Sequence, residues 1–268
     1  MNAYYACAKD YARLGLGVSR PVLLLLTLTS MLAYGQTYVS DANLQTSLKN
    51  WSTCVEPACD PGGNQQGPSD VWNKVVNSTP CSPRRRGRFM EFYVAGPQYV
   101  NALWSNKAGP MTAATHFKMS FKVCFDHNIS TAQAFEADIA NFVSGDPGTN
   151  YMFGGQCDLS KGVYDLWDQA SGHWEPDSNV PCSTTSLKAG VWHYFERNVH
   201  TDSNDALWFD SLTIDGNTYD YGQLGRYAAG QLKNGWHSTR IWQVQLDIGP
   251  TGTALTMWID ELTGIAWQ

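Results

Sequence analysis

The sequence predicts an all-β fold, a jelly-roll sandwich of two antiparallel sheets, on three observations. From about residue 36 onward, short segments alternate apolar and polar residues, the period of a half-buried strand. Clusters of Gly, Pro, Asn and Asp separate them, and the one stretch with helical character, "YGQLGRYAAGQLKNGW" (221–236), is interrupted by Gly and reads as a loop with at most a short helix. Aromatic residues reach 13% while charged residues are only 16%, a balance that excludes disorder and suits pleated, half-buried surfaces. About ten to twelve strands without helices must cover one another, as two packed sheets or a closed barrel, and the length favours the sandwich.

The elements follow in chain order. Lys9, Arg13 and Arg20 precede the apolar run "PVLLLLTLTSMLAYG", which ends in the small-x-small site Ala33-Tyr34-Gly35. Residues 1–35 are therefore expected to be a secretory signal and residues 36–268 one exported domain, extracellular or periplasmic. The apolar run is too short for a membrane span, so no stable insertion is expected after cleavage. "CDPGGNQQGPSD" (59–70) is a loop by composition. Strands are expected at "FMEFYVAG" (89–96), "ALWSN" (102–106), "THFKMSFKVCF" (115–125), "AFEADIANFV" (134–143), "YMFGGQCDL" (151–159) and "GVYDLWDQ" (162–169). Further strands are expected at "WHYFERNVH" (192–200), "ALWFDSLTIDG" (206–216), "RIWQVQLDIG" (240–249) and "ALTMWIDELTGIAW" (254–267). Asp215-Gly216-Asn217 marks a hairpin turn.

Of seven cysteines, Cys7 leaves with the signal, and the remaining Cys54, Cys59, Cys81, Cys124, Cys157 and Cys182 imply disulfides in an exported chain. Pairing nearest neighbours joins Cys54 to Cys59 and Cys157 to Cys182 and leaves Cys81 for Cys124; their spacing does not suit zinc. A net charge of −6 argues against nucleic acid as a partner, and the lone basic run "RRRGR" (84–88) reads as a solvated loop. Phosphate loops, H-E-x-x-H and G-x-S-x-G are missing, and the six histidines are scattered.

Within "AQAFEADIANFV" (132–143), strand alternation puts Phe135, Ala137 and Ile139 on one face and Glu136, Asp138 and Ala140 on the other. Two acids on one strand face serve as a catalytic pair, as ligands for sugar hydroxyls or a cation, or as a solvated surface, and spacing leaves the three open. Aromatics form a second constellation: Trp167, Trp174, Trp192, Trp208, Trp242 and Trp258 lie on or beside expected strands. A sugar ring stacks its C–H face on an aromatic face, while Asp, Asn and Gln bind its hydroxyls. In "RIWQVQLDIG" the apolar face carries Trp242, Val244, Leu246 and Ile248, and the polar face carries Gln243, Gln245 and Asp247. Trp167 shares its strand face with Asp165 and is the preferred exposed platform.

The terminal "GTALTMWIDELTGIAW" resembles the last strand of concanavalin A-like lectin/glucanase sandwiches. Cys54 to Gly63 ("C....C.PGG"), "AFEADI", "YMFGGQC", "VYDLWD..SGHW" and "VPC" are similar to secreted bacterial domains of that superfamily, described as LamG-like. The resemblance spans roughly residues 40 to 267 and implies a concanavalin A-like jelly roll. Laminarinase- and lichenase-type members carry Glu-x-Asp-x-x-Glu, which implies Glu136 as nucleophile and Asp138 as its assistant, with Asn141 at the acid/base position. An amide cannot donate the proton glycoside hydrolysis needs; by type, Asp165, Glu91 or Glu196 would have to supply it. The resemblance also implies Asp260 as one ligand of a structural calcium, the alternative being an ordinary strand-end Asp. No other cofactor is implied. A polysaccharide lyase would show Arg-x-Glu, and Arg88 and Glu91 stand at the wrong spacing.

The expected function is thus carbohydrate binding by a monomer, with a polysaccharide held on a concave face by Glu136, Asp138, Asn141, Asp165, Trp167, Gln243 and Gln245. A divergent glycoside hydrolase or polysaccharide lyase is the alternative, and a surface interaction domain without a glycan site the third.

Overall fold

The computed structural model describes residues 38–47, 51–55, 66–232 and 237–268. The expected signal and Cys59 lie outside them. Strands account for the regular structure: β1 (Tyr38–Asp41), β2 (Trp51–Val55), β3 (Asp70–Val76), β4 (Phe89–Ala95), β5 (Asn101–Ala108) and β6 (His116–Phe125). They continue with β7 (Ala134–Val143), β8 (Thr149–Phe153), β9 (Gly155–Asp158), β10 (Val163–Asp168), β11 (His173–Pro181) and β12 (His193–Thr201). The last six are β13 (Ala206–Ile214), β14 (Asn217–Asp220), β15 (Arg226–Ala228), β16 (Gly230–Gln231), β17 (Thr239–Asp247) and β18 (Leu255–Trp267).

They form two open antiparallel sheets. The first runs β14-β13-β12-β6-β18-β4-β3, with β1 on β18 and β15 on β13; the second runs β11-β10-β9-β7-β17-β5-β2, with β8 joining β7 to β16. The all-β jelly-roll sandwich expected from alternation is therefore borne out. Alternation also selects the core. Phe117, Met119, Phe121 and Val123 of β6 face Phe135, Ala137 and Ile139 of β7 across the layer, in one cluster with Trp242, Val244 and Leu246 of β17. Phe121 stacks on Phe195 at 5.5 Å, and Phe135 meets both rings edge-on.

The expected turn closes the β13–β14 hairpin. Asp215 and Gly216 both have positive φ, 50° and 85°, as a two-residue turn matched to strand twist requires. Asp215 occupies the left-handed region and also accepts the Tyr194 amide at 2.8 Å. Residues 221–232, within the stretch expected to be a loop with at most a short helix, form one 3-10 turn at Gly222–Gly225 and then pair as β15 and β16. "YMFGGQCDL" is two strands rather than one. β8 pairs with β7 from Ile139 to Val143 and β9 from Ala134 to Glu136, so the ladder breaks at Gly154 between them. A Cβ on Gly154 would lie 2.7 Å from the Cβ of Trp167, which is why the break needs glycine.

Cys81–Cys124 and Cys157–Cys182 are joined as expected. Cys54 is disulfide-bonded as well. The first bridge packs against Trp258 and Trp192, which removes both indoles from the list of sugar platforms. Cys157–Cys182 closes a loop with a sequence separation of 25 residues. Replacing both cysteines by alanine is expected to cost about 3.5 kcal/mol, from the chain entropy returned to the unfolded state; denaturant unfolding under non-reducing conditions measures it.

Candidate functional site on the second sheet

β7 lies inside the second sheet, flanked by β17 along its length and by β9 and β8 on the other side. Its register sets the site. Glu136 stands opposite Gln245 on β17 and Gln156 on β9, and Gln156 stands opposite Asp165 on β10. Paired residues share a face, so Asp165, Gln156, Glu136 and Gln245 form one row across four strands, on the face turned away from the core. Asp138 and Gln243 form the next rung.

Hydrogen bonds join the row in two pairs. Gln245 Nε2 donates to Glu136 Oε1 at 2.7 Å and to Asp247 Oδ1 at 2.9 Å, and Gln156 Nε2 donates to Asp165 Oδ2 at 3.2 Å. Glu136 is 6% exposed and Asp138 1%. Carboxylates so shielded need partners, because desolvation of an ion is costly unless it is bonded.

Asp138 is held hardest. Its Oδ1 accepts the Gly155 amide at 2.8 Å and its Oδ2 the Gln243 amide at 2.7 Å. Arg197, from β12 of the first sheet, crosses the core to place Nη1 4.0 Å from Oδ1, and the same group donates to the Ala137 carbonyl. Burial pushes the Asp138 carboxyl up, while Arg197, Gln243 and Gly155 pull it back. Gly155 is the gap that lets this happen: a Cβ there would sit 2.3 Å from the Tyr164 hydroxyl and 2.8 Å from Arg197 Nη2. Asp138 thus fastens β7, β9 and β17 together and answers a cation from the other sheet.

Asn141 does not join them. The β7–β17 ladder runs without a register shift from Ala134 to Phe142, so odd-numbered Asn141 stays on the core side with Ile139. It is 1% exposed and neither amide atom has a hydrogen-bond partner.

Asp165 is fully buried, with Lys161 Nζ 3.6 Å from its Oδ2 and no hydrogen bond to its Oδ1. Burial is the largest influence and raises its pKa. A carboxyl raised in the folded state contributes stability that is present below its unfolded pKa and lost as pH rises through the folded one. Asp165→Asn is therefore expected to raise Tm at neutral pH by a few degrees, the gain closing as pH falls into the ordinary carboxylate range; thermal melts across pH test this. A lower Tm at neutral pH would mean that the Lys161 contact outweighs desolvation.

Trp167 lies beyond Asp165 on the same face of β10, opposite Trp174 on β11. Both are half-buried, their rings meeting edge-on at 5.2 Å and 63°, and Trp167 Nε1 donates to Gln169 Oε1 at 3.2 Å. The second sheet thus carries an aromatic pair at the end of a carboxylate–amide row.

No family model and no curated protein matches the chain. Solved structures do resemble it. A cellulose-induced protein is 14% identical over 84% of this chain and 96% of that one, with a TM-score of 0.45. A Bacteroides ovatus mixed-linkage glucan GH16 structure with bound product is 11% identical over 86% and 99%, TM-score 0.41. A Bauhinia forficata lectin in complex with GalNAc is 10% identical over 87% and 99%, TM-score 0.40.

Other expected acids lie elsewhere. Glu91 and Glu196 are on the first sheet, paired with Lys74 and Lys118, so of the three substitutes named by type only Asp165 shares a face with Glu136. Asp260 does not fit a calcium ion. Its Oδ2 takes Arg85 Nε at 2.7 Å and its Oδ1 the Glu261 amide at 2.9 Å, while Arg85 and Lys122 neutralise Glu261. Calcium asks for six to eight oxygens, and here a guanidinium supplies the positive charge from the "RRRGR" run. Among the described residues no cluster of three or more His, Cys, Asp or Glu could hold a metal, and no helix is long and apolar enough to cross a membrane. A cavity of about 580 Å³ lies apart from the row, lined by Thr149, Asp205, Arg226, Tyr227 and Gln231 among others.

Sequence reasoning missed Gln156, Tyr164 and Arg197. Arg197 was open to detection: it occupies the apolar phase between Phe195 and Val199.

Proposed function

We propose that the protein is an exported carbohydrate-binding domain, and that the outer face of its second sheet receives a polysaccharide chain without cleaving it. The observation that carries this reading is the half-exposed Trp167–Trp174 pair abutting the row Asp165–Gln156–Glu136–Gln245. Stacking on an indole face beside side chains that accept and donate to hydroxyls is the chemistry of sugar binding. Export is supported by the signal-like N-terminus and by the disulfide-bonded cysteines. Cleavage is disfavoured because Asp138 is bound on both oxygens and Asn141 lies on the core side.

The test is a binding panel of neutral and acidic polysaccharides, by affinity electrophoresis and calorimetry. Trp167→Ala and Trp174→Ala are expected to weaken binding by about tenfold each, roughly 1.4 kcal/mol, and Glu136→Ala by a similar factor. Binding that all three variants leave untouched would remove the assignment of this face, and no binding to any polysaccharide would favour a surface interaction domain.

One observation favours a second reading, hydrolysis. Glu136 and Asp165 are separated by two strand spacings, about 9.5 Å between backbones. That is compatible with the roughly 6.5–9.5 Å between carboxyls in an inverting pair, and burial favours the protonated form of Asp165. In that reading Asp165 donates the proton and Glu136 activates water. Release of reducing ends from a bound polysaccharide, lost in Asp165→Asn, would replace the binding-only proposal.

A further inference from the structure

The outer face of the first sheet carries a cross-strand row that the glycan reading does not use. Trp267 on β18 stands opposite His116 on β6, His116 opposite His200 on β12, His200 opposite Trp208 on β13, and Trp208 opposite Arg226 on β15. The four rings stack nearly parallel, with centroids 5.4, 5.3 and 5.6 Å apart and interplanar angles of 19°, 19° and 5°. The Arg226 guanidinium closes one end, 5.2 Å above Trp208. Faces turned toward each other leave edges toward solvent, so the row is a poor sugar platform. Two imidazoles side by side are a different matter.

Each imidazole is oriented through Nδ1. His200 Nδ1 lies 2.7 Å from Asp210 Oδ1, and His116 Nδ1 lies 2.9 Å from Thr115 Oγ1. A carboxylate only accepts, so neutral His200 carries its proton on Nδ1 and leaves the Nε2 lone pair unprotonated. A carboxylate behind a histidine is the arrangement that raises ligand basicity and sets ring orientation at metal centres. Trp208 and Asp210 limit the rotamer freedom of His200 that chelation would otherwise have to remove.

We propose that His116 and His200 form a two-nitrogen clamp for a divalent transition-metal ion, copper(II) before nickel or zinc. Imidazole nitrogen suits all three, and affinity for nitrogen sites peaks at copper. Metal–nitrogen bonds of about 2.0–2.1 Å need the two Nε2 atoms within roughly 4 Å of each other. His116, held through Nδ1 only by the neighbouring Thr115 hydroxyl, reaches that by turning about its terminal torsion out of the stack, while His200 stays fixed by Asp210. The protein supplies two ligands, and water or an external ligand completes the coordination sphere.

The experiment is a copper(II) chloride titration of the full chain near neutral pH, read by tryptophan fluorescence and by electron paramagnetic resonance. Trp208 and Trp267 flank the clamp, so quenching is expected to saturate at one equivalent, with a signal split by two nitrogens. His116→Phe and His200→Phe keep a ring in the stack and remove the nitrogen; each is expected to abolish the saturable phase. Asp210→Asn is expected to weaken binding by about 10–100-fold. Absence of a saturable phase in the unaltered protein, or its survival in the double Phe variant, would overturn the clamp.

Discussion

Arg197→Leu is expected to lower the unfolding free energy by about 3–5 kcal/mol, the cost of leaving a buried charge without its partner. Arg197 and Asp138 are both buried, on opposite sheets, and Arg197 is also bonded to the Ala137 carbonyl. The double variant Arg197→Leu/Asp138→Leu is expected to lose less than the sum of the single changes, because two apolar residues leave no stranded ion. Urea unfolding of the four proteins closes the cycle. The pH dependence has a definite sign. Among the influences on Asp138, Arg197 is the largest that lowers its pKa, set against a burial that raises it. Without Arg197 the folded-state pKa rises further, so the deficit is greatest at neutral pH and shrinks as pH falls and the carboxyl takes up its proton. A loss under about 1 kcal/mol at neutral pH would show that Asp138 is satisfied by Gln243 and Gly155 alone.

Gly264→Ala is expected to destabilise by about 3 kcal/mol, at the upper end of overpacking effects. A Cβ at Gly264 on β18 would fall 2.2, 2.5 and 2.6 Å from three atoms of the Trp242 indole, which is 0% exposed. The backbone of the first sheet meets the largest side chain of the second there, and neither can retreat through a closely packed layer. Trp242→Leu alone leaves a cavity and is expected to cost about 3 kcal/mol. Combined with Gly264→Ala it opens space for the added methyl, so the pair should lose clearly less than the sum. Additive losses would show that the strain lies elsewhere than in this contact.

Both results turn on pairs far apart in the chain, and the same division runs through what was legible. β7 occupies Ala134–Val143, the bounds its alternation marks. The Asp215-Gly216 turn and the two apolar–polar faces of β17 were also readable, whereas six cysteines allow fifteen connectivities and the sequence alone selects none. β1 and β2 were not, because four or five residues carry little pattern, and neither were β3 and β11, which pairing defines. The split of "YMFGGQCDL" into β8 and β9 depends on Trp167, Tyr164 and Arg197 arriving against Gly154 and Gly155. Asp260 read as a cation ligand because nothing local reveals that Arg85 returns to it.

The sequence by itself determined that the chain is a two-layer antiparallel sandwich, which strand residues face inward, and that Glu136 and Asp138 share the opposite face. Alternation is a local property, set by the pleat and by the partition of apolar side chains from water. Only the tertiary structure decided that Asp138 answers Arg197, that Asn141 is turned to the core, that Asp165 stands in the same cross-strand row as Glu136, and that two histidines 84 residues apart lie ring against ring. Those relations depend on strand order and register, which are set by the packing of the whole sandwich.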